Sequence, residues 1–209
     1  MFSLQQLFGK GDKFYDLLEA SAEEAKASGD ALGKILSAPA GKASLEEFVL
    51  SRRKEKRISE EIAERLVDTF VTGLEREDIE ELSNALYRIP KTVEKFAERY
   101  QISTGQLEGI TFHRQAVLLE KSTATLVSMV KLLRKMPPLE QVKDLNDKLQ
   151  ILEGEADKVM LELTAELYQG KHEALQIIIV RDLYDLLEKV IDRCRDAGNV
   201  VSHIVMKNS

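Results

Sequence analysis

The chain is written twice. Leu17-Leu18-Glu19-Ala20-Ser21 returns as Leu118-Leu119-Glu120-Lys121-Ser122, 101 residues later. The same offset lays Ile58, Ile62 and Leu66 over Val159, Leu163 and Leu167, and an offset of 104 lays Asp78, Ile79 and Leu82 over Asp182, Leu183 and Leu186. A period near 100 residues is longer than the stacked unit of a solenoid, which runs to roughly 20–50 residues. It predicts two similar bundles in tandem, and it allows each position of one half to be compared with its counterpart in the other.

Helical periodicity dominates, and no segment alternates as a strand. The pattern predicts a first helix from Asp12 to Leu36, broken by Ser37-Ala38-Pro39-Ala40-Gly41. Ser44-Leu45-Glu46-Glu47 reads as a capping box opening a second helix that runs to Val71. A third starts near Glu75 and carries Pro90, which removes one backbone hydrogen bond and predicts a kink or break. Ser103-Thr104-Gly105-Gln106 is read as the start of a fourth helix ending at Pro137-Pro138; a fifth spans Leu139 to Gln169, and a sixth extends to Met206. Six long helices on short turns give an all-α fold of two tandem antiparallel three-helix bundles. The expected divisions are an N-terminal arm at 1–11, a first repeat at 12–102 and a second at 103–209.

In the sixth helix Leu183, Leu187, Val190, Cys194, Ala197 and Val201 form one apolar stripe, as do Leu145, Leu149, Leu152, Ala156, Val159, Leu163 and Leu167 in the fifth. Cys194 lies on its stripe and reads as a small buried hydrophobe. As the single cysteine it excludes an intramolecular disulfide and a cysteine zinc site, consistent with a cytosolic protein. A net charge of −6 without a basic tract argues against a nucleic-acid binder and against docking on anionic lipid. No apolar run approaches the roughly 20 residues of a membrane span. The opening Met1 to Phe8 has no basic leader before an apolar stretch, so no signal peptide is expected, and Phe2, Leu4, Leu7 and Phe8 read as an arm packing on the bundle.

Five acids share helical spacing. Glu153 and Asp157 lie four apart on the fifth helix, and Glu188, Asp192 and Asp196 lie four apart in series on the sixth. Side chains at that spacing stack on one face, and like charges there repel. A cation or opposing basic side chains must offset the repulsion, and an all-oxygen donor set suits hard cations such as magnesium, manganese or iron. On a helical wheel the three acids of the sixth helix fall opposite its apolar stripe, which places any metal on the bundle surface. The alternative is a solvated charged face neutralised by Lys189, Arg193 and Arg195. The counterparts in the first repeat are Arg52, Lys56, Asn84, Arg88 and Thr92: every carboxylate is gone and three of the five positions are cationic. Either the first repeat has lost a metal site, or its cations form a face for an anion or for the acidic face of another subunit.

The chain resembles the PhoU-like proteins grouped as domain of unknown function 47, the Pit accessory proteins or phosphate transport regulators. The resemblance rests on Glu153-Gly154-Glu155-Ala156-Asp157, on Asp182-Leu183-Tyr184-Asp185-Leu186-Leu187-Glu188 and on Asp192-Arg193-Cys194-Arg195-Asp196-Ala197-Gly198-Asn199-Val200. Thr69-Phe70, Arg76-Glu77-Asp78-Ile79 and Leu7-Phe8-Gly9-Lys10 add to it. It implies two three-helix bundles and surface metal clusters, iron above all and otherwise manganese, magnesium or zinc. It also implies a homo-oligomeric, non-enzymatic cytoplasmic partner of a Pit-type phosphate transporter at the inner face of the membrane. The metal motifs carry over only onto Glu153, Asp157, Glu188, Asp192 and Asp196. A metal-free oligomerisation adaptor is the alternative. A carboxylate-bridged di-iron enzyme fits poorly, because such sites need Glu-x-x-His and none of His113, His172 and His203 has Glu three residues before it. No Gly-rich phosphate loop or Ser/His/Asp set is present either.

Overall fold

The computed structural model describes the backbone of residues 4–37 and 45–208, with side chains from residue 13 onward within those ranges. Among the described residues six α-helices make up the fold: α1 (Leu4–Ser37), α2 (Glu46–Asp68), α3 (Arg76–Ser103), α4 (His113–Leu132), α5 (Leu139–Leu167) and α6 (Ala174–Lys207). No strand occurs among the described residues. Helices α1, α2 and α3 pack on one another, as do α4, α5 and α6, so the three-plus-three arrangement is present. The largest helix–helix contacts are α3 on α6, α5 on α6 and α1 on α4. Two of these three cross from one half to the other, and a single apolar core runs through both halves. Ion pairs place Arg99 beside Asp182 and Lys207 beside Glu75 and Asp78, so α3 and α6 run antiparallel across that boundary.

Some of the apolar and small residues that the repeat equates share their burial, whereas Asp78 is buried and its counterpart Asp182 is half-exposed. Leu18 and Leu119 are both inaccessible, as are Ser21 and Ser122, Ile79 and Leu183. Cys194 is fully buried, and its apolar surroundings push the thiol up to about 12.

Several helix boundaries differ from the sequence pattern. Helix α1 begins at Leu4, so residues 4–11 continue the first helix instead of forming a separate arm; their side chains, and Met1 to Ser3 altogether, lie outside the described residues. The Ser44 cap also lies outside them, and α2 starts at Glu46 and ends at Asp68. Pro90 does not break α3, which continues through it from Arg76 to Ser103. Buried Leu86, Ile89, Val93 and Phe96 hold that helix on both sides of the proline, and their packing outweighs the one lost hydrogen bond. Ser103 to Gln106 does not open α4. Thr104–Gln106 follows directly on α3 as a 3₁₀ turn, Gly109 adopts a left-handed φ of 76°, and the next helix waits until His113. Leu107 and Phe112 are buried and pin this connection, Phe112 packing edge-on against Phe96 and Tyr184.

Candidate metal site

The fifth and sixth helices pack side by side, and the predicted acids meet along their seam. Glu188 is half-buried there. Burial, together with the charges of Asp192, Asp157, Asp185 and Glu153, pushes its carboxyl up to about 7. Asp192 is also half-buried. Desolvation raises its pKa above the ordinary aspartate value, Asp157 and Asp196 add to the shift, and Arg195 and Arg193 oppose it. Four of the five predicted residues, Glu153, Asp157, Glu188 and Asp192, thus form one self-repelling patch fed by two helices. Asp185, one turn before Glu188, is a neighbour that the spacing argument omitted.

Asp196 lies at the margin of the patch, its charge still felt by Asp192. Its side chain is 61% exposed, and it faces a cleft of about 540 Å³ between α3 and α6, lined also by Glu77, Glu81, Arg88, Asn199 and His203. Arg195 bridges the two sides, 3.3 Å from Glu153 and 3.0 Å from Asp196. The expectation that the α6 acids lie opposite the apolar stripe is therefore corrected for Glu188 and Asp192, which lie at the edge of the seam. Helix α6 packs on α3, α4 and α5 at once, so Tyr184, Ile191, Gly198 and Val205 join its apolar face and leave only a narrow polar sector. Among the described residues no group of three or more His, Cys, Asp or Glu side chains is arranged to hold a metal ion. The donor chemistry fits a hard cation and the mutual repulsion would be relieved by one, while Arg195 already supplies part of that positive charge.

The matching face of the first repeat is built differently. Arg52 stacks on the Tyr87 ring at 4.0 Å, donates to the Tyr87 hydroxyl and lies 3.7 Å from Glu94. Lys56 pairs with Glu60, Arg88 is exposed, and Thr92 is buried with its hydroxyl donating to the Arg88 carbonyl. Burial lowers the Arg193 pKa, and the charge of Arg88 across the α3–α6 boundary adds to the shift.

One functional-type group went unread in the sequence. Glu55 of α2 is 0% exposed, and one of its oxygens accepts a 2.7 Å hydrogen bond from Ser21 of α1. The signal was available: Phe48, Ser51, Glu55 and Ile62 fall on one helical stripe, and the 101-residue offset sets Glu55 over Ala156 in the core of α5.

No protein-family model matches the chain. A Rhizobium meliloti protein named "Putative pit accessory protein" is 22% identical over 214 aligned positions, covering 98% of this chain and 97% of that one. The UPF0111 protein YkaA of Bacillus subtilis is 23% identical over 143 residues, 67% of this chain and 68% of the relative. A PhoU-like protein of Shewanella oneidensis of known crystal structure superposes with a TM-score of 0.77 at 12% identity, over 92% of this chain and 99% of its own. The fold is PhoU-like. A second Shewanella oneidensis structure, described as a putative PhoU-like phosphate regulatory protein, superposes at 0.67 over 93% of this chain and 99% of its own, also at 12% identity. The chain therefore resembles a Pit accessory protein in sequence and PhoU-like proteins in fold, and among the described residues no helix of this PhoU-like bundle is long and apolar enough to cross a membrane.

Proposed function

We infer that this PhoU-like chain is a non-enzymatic accessory or regulator of inorganic phosphate transport that acts by docking on a membrane partner, and that the α5–α6 acidic seam is its cation site. The relatives carry the names of accessory and regulatory proteins, and one likeness to a Pit accessory protein runs the full length of the chain. A Pit-type transporter is the partner that name supports, which would place the protein at the cytoplasmic face of the membrane as a homo-oligomer of two-repeat subunits, 12–102 and 103–209. The observation that carries the cation site is the burial of Glu188 among Glu153, Asp157, Asp185 and Asp192, a concentration of negative charge left partly uncompensated. Glu153, Asp157, Glu188 and Asp192 would hold the ion, with Asp196 at the margin; such an ion would supply positive charge that fixes the α5–α6 seam.

Elemental analysis of the untagged protein, wild type against Asp192→Ala, tests this reading. The expected outcome is bound iron or manganese in the wild type, a clear loss in the variant, and nearly unchanged helicity by circular dichroism. Equal metal content in the two proteins would remove Asp192 from the site. The metal-free adaptor is the second reading, and Arg195 favours it, since a guanidinium on both Glu153 and Asp196 already does part of a cation's work.

A further inference from the structure

Helix α2 is the weakest-anchored of the six. Its buried residues are Phe48, Ser51, Glu55 and Ile62, so two of the four are polar, whereas α5 buries Val142, Leu149, Leu152, Ala156, Val159, Leu163 and Leu167. Ile58 and Leu66 add only partly buried contacts. Where α5 carries Leu152 and Ala156, α2 carries Ser51 and Glu55.

The Glu55 carboxyl sits at the centre of this seam. From α1, Ser21 donates to one of its oxygens, and Glu24 adds negative charge; Glu24 is itself held by the Ser51 hydroxyl at 3.1 Å and by Lys54 at 3.3 Å. From α2, Arg52 acts on it through space but spends its guanidinium on Tyr87 and Glu94 of α3. The second carboxyl oxygen of Glu55 and one terminal nitrogen of Arg52 are buried without hydrogen-bond partners among the described residues. A buried carboxylate with one hydrogen bond is costly, and a neutral acid is not.

We propose that Glu55 is a proton-controlled latch: with Glu55 protonated α2 stays docked on α1 and α3, and its ionisation releases α2 and uncovers the surface that Phe48 and Ile62 now seal. Burial pushes the docked carboxyl up to about 8, from the ordinary glutamate value of 4.5 that a released, solvated helix restores. The sign follows. The docked state binds the proton more tightly, so docking is fully stabilised below pH 4.5 and that stabilisation is lost as pH rises towards about 8. The ratio of released to docked α2 climbs about tenfold per pH unit across this window and levels off above it.

Hydrogen exchange of the full chain, resolved by helix and corrected for the intrinsic pH dependence of exchange, tests the latch from about pH 5 to about pH 9. The expected result is an opening of α2 that grows about tenfold per pH unit in the wild type, no such trend in α5, and a flat α2 profile in Glu55→Gln. If Glu55→Gln does not fold, Glu55→Ala, which places on α2 the residue α5 carries at the matching position, is read by the same criterion. A pH-independent α2 in the wild type, or a slope that survives the substitution, overturns the proposal.

Discussion

Glu188 illustrates how much a single position in this protein is decided by its neighbours. On an isolated helix it would be an ordinary surface glutamate; in the α5–α6 seam it is half-buried among four other acids and titrates near 7. Its folded pKa lies above the ordinary glutamate value of 4.5, so it favours folding at low pH and loses that contribution as pH climbs through about 7. Glu188→Gln is therefore expected to stabilise the metal-free chain at pH 8 by about 1 kcal/mol, allowing for solvent screening, and to change it little at pH 5. Urea denaturation in the presence of a chelator at the two pH values checks this. Arg195 separates the two readings of the seam. If cations bind there, Arg195→Ala frees Glu153 and tightens manganese binding by roughly threefold to tenfold in calorimetric titration. If the seam is only a charged face, neither protein binds and the variant is simply less stable. Spacing along each helix was enough to gather Glu153, Asp157, Glu188 and Asp192. Asp196, the next turn on, adds its charge to the Asp192 shift from the margin of the seam while also lining a cleft between α3 and α6.

Helices were legible where apolar periodicity was long, and their ends were not. The stripes of α5 and α6 are buried as read, because a 3.6-residue period on a long helix leaves one way to hide it. The start of α4 differs because Ser103-Thr104-Gly105-Gln106 reads as a helix opening, whereas the left-handed Gly109 and the buried Phe112 dictate a later one. Two glycines show the difference between a helix read alone and a helix in place. Gly154 of α5 has no atom within 4 Å of where a Cβ would stand, so Gly154→Ala is expected to stabilise the chain by about 0.5–1 kcal/mol through helix propensity alone. A Cβ on Gly198 of α6 would meet the Leu149 side chain at 2.4 Å, with Asn146 at 3.2 Å and the Met129 sulfur at 3.4 Å. Those atoms are hemmed in by the core, and Gly198→Ala is expected to destabilise by about 1–2 kcal/mol despite the same gain in propensity. Thermal melts of the two variants should move in opposite directions from the wild type.

The doubling suggests two bundles that could live apart, and the packing argues that they cannot. Helices α3 and α6 cross the boundary with one of the most extensive contacts in the protein, and α1 and α4 cross it alongside them. Phe96, Tyr100, Phe112 and Tyr184 form one aromatic cluster drawn from both halves. Lys131 reaches Glu23, and Arg134 reaches Asp16 and Glu19, tying α4 to α1 along the rim. Cutting the chain between residues 102 and 103 would expose on each fragment an apolar face that the other half now covers, a surface of the kind a soluble monomer does not leave open. Each fragment alone is expected to be aggregated or loosely packed, and equimolar mixing should restore a native-like complex with cooperative unfolding. The intact chain should melt in a single calorimetric transition, with α2 alone opening below it as pH rises. Two resolved transitions in the intact chain, or a 103–209 fragment that is monomeric and fully cooperative by itself, would mean that the shared core contributes little and that each repeat is a self-sufficient domain.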